Sequence, residues 1–176
     1  MLIVNSKKII YIVKWIALSI IFLILQLLIM PHFAYQSSVP NILVTMIIVS
    51  ALLFGLKIAF PLGLCLAFLQ QGFLYDNHFF LSWILLPFFA VFTYPHQLGF
   101  HKNIIRFLQV MLCTFYAEII NAFSYSAGSE KFAGFSLALL PDDIYHILLF
   151  NPLLNGILAI PVLWGLDKLF PNENRL

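Results

Sequence analysis

Within the apolar stretch FYAEIINAF, residues 115–123, stand a carboxylate, Glu118, and an amide, Asn121. Their spacing puts both on one helical face, and Tyr125 extends that stripe by a turn. A carboxylate in such a place does one of two things. It joins neighbouring helices through hydrogen bonds, or it binds a proton, an ion or a substrate. A charge at the centre of a lone membrane helix costs roughly 2.5–3.5 kcal/mol on insertion scales, so Glu118 must face other helices. Two other apolar runs offer partners: Asn151 and Asn155, at i,i+4, and the pair Gln70 and Gln71. Interhelical hydrogen bonds of this kind contribute about 0.6–2 kcal/mol each. A transporter ordinarily carries several deep ionisable groups. Glu118 stands alone, which favours the structural role over the functional one.

The remaining polar residues form no reactive constellation. His96 and His101 are five positions apart with no acidic companion, whereas a metal pair on one helix face wants a spacing of about three or four. Cys65 and Cys113 each fall inside an apolar run and lack a CxxC partner, which reads as apolar filling. There is no GxSxG, HExxH or phosphate-binding loop. The chain is therefore not expected to be an enzyme, nor to hold a cofactor or a metal. Gly63 and Ala67 make a small-xxx-small spacing that permits close helix approach. Asp76-Asn77-His78 reads as a polar surface turn, solvated by default and open to a partner.

The elements that carry these residues follow from composition. Hydrophobic residues make up 62% of the 176 positions and charged residues 9%, against about half and a quarter in a soluble domain. So few charges cannot cover a water-facing surface. The expectation is a single all-α integral-membrane domain, residues 1–176. A net charge of +2 with no basic tract argues against nucleic acid. Spanning helices need about twenty apolar residues, and six candidates appear: 9–30, 39–56, 58–75, 79–94, 104–125 and 144–170. The first lacks a small-residue cleavage site and reads as a retained span rather than a signal peptide. The second and third are joined only by Lys57, beside Gly55, and must form a tight antiparallel hairpin. The sixth is long enough to tilt, or to break at Pro152 or Pro161.

Charge placement supports this count. With the N-terminus inside, the inner face holds Lys7, Lys8, Lys14, Lys57, Lys102, Arg106, Lys168 and Arg175, and the outer face only Lys131. Cytoplasmic loops carry such an excess, so both termini are expected in the cytoplasm. Asp76, Glu130, Asp142 and Asp143 fall outside, in keeping with that asymmetry. The outer loop 126–143 contains FAGFSLALLP, too short to span and suited to a re-entrant or interfacial segment. Trp83 and Trp164 are candidate interfacial anchors.

Several stretches, taken in order, resemble the MreD family of rod shape-determining membrane proteins. SVPNILVTMIIVSALLFG, with Pro40 and Asn41, resembles its second segment. GLCLAFLQQ resembles its G-x-x-x-G-x-x-x-D helix, and PHQLGFHKN its inner loop before the fifth span. FYAEIINAF carries its acid where the family often has Asp or Glu. LLNGILAIPVLWGLDKLF resembles the last span. The order holds over residues 38–170. The departure is in the third span, which reads Gly63, Ala67 and Gln71, with an amide for the carboxylate and Asp76 five residues on.

The resemblance implies a multi-pass, non-catalytic subunit of the bacterial elongation machinery in the plasma (inner) membrane. Its implied partners are an MreC-like bitopic scaffold, an MreB-like filament, and a RodA glycosyltransferase with its penicillin-binding transpeptidase, besides membrane lipid. Pro40, Asn41 and Asp76 are the candidate partner contacts. The alternative is the vitamin-binding subunit of an energy-coupling-factor transporter, whose fold is similar. That class carries an A-x-x-x-A docking pattern on its first span, which KWIALSIIFLILQ lacks.

Overall fold

In the computed structural model, residues 6–34, 38–74, 79–93, 102–128 and 144–170 are described. They form six α-helices: α1 (Ser6–Leu28), α2 (Ile42–Phe54), α3 (Leu56–Leu74), α4 (Phe79–Phe92), α5 (Lys102–Gly128) and α6 (Ile144–Leu169), with a short 3-10 turn at Met30–Phe33. The six helices fall where the six apolar runs lie. They are not equivalent, however. Within α1, α5 and α6, the stretches Ile9–Leu28, Ile104–Ala122 and His146–Leu169 are long and apolar enough to cross a membrane. The other apolar stretches, Ile42–Phe54, Leu56–Leu69 and Ser82–Phe92, are shorter. Among the described residues, three stretches rather than the expected six have the length and apolarity of a full span.

The reason is clearest in α2. Its expected range was 39–56, but the helix has 13 residues, about 20 Å at 1.5 Å per residue, against a hydrocarbon core of about 30 Å. Asn41 starts it with an extended backbone and a side-chain cap, and Gly55 ends it at φ 72°, ψ −172°, a conformation open essentially only to glycine. Every residue of α2 except Leu52 is buried. A helix apolar on all sides belongs inside protein, and α2 is the axis of the bundle, touching α1, α3, α4, α5 and α6.

Gly55 alone separates α2 from α3, and the two fold back on each other as a hairpin. A Cβ added at Gly63 would stand 3.5 Å from Ile47 Cγ2, 3.4 Å from Pro87 Cγ and 3.1 Å from the Trp83 carbonyl oxygen. Gly63 and Ile47 are equally far from Gly55, which is antiparallel register. Gly63 is thus a notch that receives α4 at Pro87. Gly156 does the same for α6 on α5, where an added Cβ would meet Met111 Cγ at 2.8 Å and Phe107 Cε2 at 3.0 Å. α6 runs unbroken through Pro152 and Pro161.

α1 is the peripheral helix. Among the described residues its main helix contact is α2, and it exposes Ile9, Ile12, Ile16, Ile20 and Ile24. A continuous apolar face of this kind suits lipid rather than water. Trp83, an expected interfacial anchor, is instead 1% exposed and part of the core. Trp164 is exposed, with the Lys168 ammonium 3.9 Å from its ring centroid.

Candidate polar site within the bundle

The polar residues collect where the C-terminal end of α1, the N-terminal end of α2 and the facing parts of α5 and α6 meet. A helix begins with four backbone N–H groups that lack intrahelical partners. In α2 each is satisfied by a side chain. The Asn41 N–H donates to Asn155 Oδ1 at 2.6 Å. The Ile42 N–H donates to Gln26 Oε1 at 2.8 Å. Leu43 and Val44 N–H donate to Asn41 Oδ1 at 3.1 and 3.0 Å. Gln26 also donates through Nε2 to the Pro40 carbonyl at 3.3 Å. One amide on α1 thereby grips the entry to α2 on both sides, and one on α6 closes it from across the bundle.

α5 and α6 supply a second layer in antiparallel register. Asn155 Nδ2 reaches Thr114 Oγ1 at 3.5 Å, a weak contact. One turn along, Asn151 Nδ2 donates to Glu118 Oε1 at 2.9 Å. Asn121 lies beside the same carboxylate. Asn121 Oδ1 and Asn151 Oδ1 are buried without a partner. Ser38 ties the approach to α2 to the first turn of α6 by donating to the His146 carbonyl at 3.3 Å.

The i,i+4 asparagines of α6 thus divide their work: Asn151 meets Glu118, while Asn155 meets the backbone of α2. Pro40 is buried and Asn41 half-buried, and the Asn41 side chain is spent on its own helix. The expected third contributor, α3, makes its main contacts with α2 and α4. The side chains of Gln70, Gln71 and Tyr125 lie outside the described residues, as do Asp76, His96, His101, Lys131 and the loop positions 129–143.

Sequence reasoning passed over Gln26, the amide that links α1 to α2. Its only signal was a solitary amide near the end of an apolar run. It also passed over Gln109, which donates to the Thr93 hydroxyl and lies 3.8 Å from Cys113 Sγ, joining the end of α4 to α5. Among the described residues there is no group of three or more His, Cys, Asp or Glu able to hold a metal ion.

What this arrangement does chemically is cross-link helices. Helix N-termini are natural anion sites, and in membrane transporters they point at substrate carboxylates. At α2 that end is already filled by the protein's own amide oxygens. The chain matches no family model, no curated protein and no solved structure.

Proposed function

We propose that the chain is a non-catalytic, membrane-embedded subunit that works by holding other proteins within the bilayer, and that its setting is the bacterial cell-elongation complex of the plasma membrane. The saturation of the α2 N-terminus supports this reading. Its four free N–H groups go to Asn155, Gln26 and Asn41, so the bundle's most obvious place for a small anionic substrate is spent on internal architecture. The exposed isoleucine face of α1 is, on the same reading, surface available to partner helices. Association there depends on packing and interhelical hydrogen bonds, since lipid tails are as apolar as the helices.

The cell-elongation setting rests on the colinear MreD resemblance over residues 38–170. It brings with it the MreC-like scaffold, the MreB-like filament and the RodA-type glycosyltransferase with its transpeptidase, and a topology with both termini cytoplasmic. In that topology α2, α3 and α4 complete the crossing as a group packed on one another. The test is depletion in the source bacterium together with detergent pull-down. The expected result is loss of rod shape and recovery of an MreC-like protein. Unchanged shape and unchanged wall insertion would overturn the reading, and a tightly held vitamin in the purified chain would replace it with the transporter alternative.

A further inference from the structure

We draw no further inference here: the strongest candidate, the side-chain cluster of Glu118, Asn121 and Asn151 between α5 and α6, belongs to the polar site already described, and nothing in the structure shows what its two unpaired amide oxygens would bind.

Discussion

At one end of the bundle, Gln26, Asn41 and Asn155 join α1, α2 and α6 through directional hydrogen bonds. At the other end the same three helices are joined by aromatic rings. Trp15 stacks on Phe170 at 4.6 Å and 14°, and meets Phe54 edge-on at 5.5 Å. Phe54 and Tyr11 reach Phe170 edge-on at 5.6 and 5.3 Å, and Lys14 Nζ sits 6.0 Å from the Phe170 centroid. The contrast separates two requirements of an apolar helix bundle. Rings fix the spacing between helices, but in hydrocarbon they gain only dispersion and quadrupole terms, and they tolerate small slides. Amides meeting backbone N–H groups tolerate none, because an unpaired group there has no water to turn to. The polar end therefore sets register and the aromatic end sets separation.

The largest effect is expected at Asn155. Asn155→Leu keeps the branched side-chain skeleton but strands the Asn41 N–H, and should cost about 3 kcal/mol, the upper part of the range for leaving a buried donor unpaired. Reversible unfolding in mixed micelles measures it. Wild-type stability in this variant would mean that the polar end does not fix register. Trp15→Ala should cost less, about 2 kcal/mol, the sum of a stacked and an edge-on pair at about 0.5–1.5 kcal/mol each. If it costs more than Asn155→Leu, the ranking of the two ends is reversed. The double variant sharpens the point. The ends are separated by the length of α2, so the two losses should add to within about 0.5 kcal/mol. A larger coupling would show that α2 transmits strain from one end to the other.

The smallest effect belongs to Glu118→Gln. Glutamine keeps an oxygen for the Asn151 amide, so stability should change by less than about 0.6 kcal/mol, the scale of one such interhelical bond. On the proposed role in cell elongation, this variant keeps full activity in a complementation assay for rod shape. Loss of shape with stability intact would make ionisation of Glu118, rather than its hydrogen bond, the property that matters.

Particular residues show how far the sequence could be read. Helix positions were legible because apolar runs and their interruptions are explicit. The hairpin was legible because Lys57 alone separates the two runs, with Gly55 beside it, although the structure puts the break at Gly55 and Lys57 in the first turn of α3. That Glu118 needs a donor was legible, since an acid in an apolar segment must be hydrogen-bonded, but Asn151, Asn155, Gln70 and Gln71 were all open as partners, and only the structure selects Asn151. What could not be read was depth. Residues 39–56 look like a span by hydropathy, but the cap at Asn41 and the positive φ at Gly55 shorten the helix, and hydropathy cannot distinguish burial in protein from burial in lipid. The same ambiguity made Trp83 look like an anchor when it is core. Asn41 was singled out by resemblance, yet its work is local capping in partnership with Gln26, a residue more than ten positions away that no spacing rule connects to it.

The position of α6 bears on how the chain is assembled. Its side chains Asn151 and Asn155 serve the polar end, and Phe170, just beyond its last turn, serves the aromatic end. α6 leaves the ribosome after α1 to α5, so until it arrives the Asn41 N–H has no acceptor and the Trp15 ring has nothing to stack on. The contacts that close both ends of the bundle thus wait on the last helix to be made.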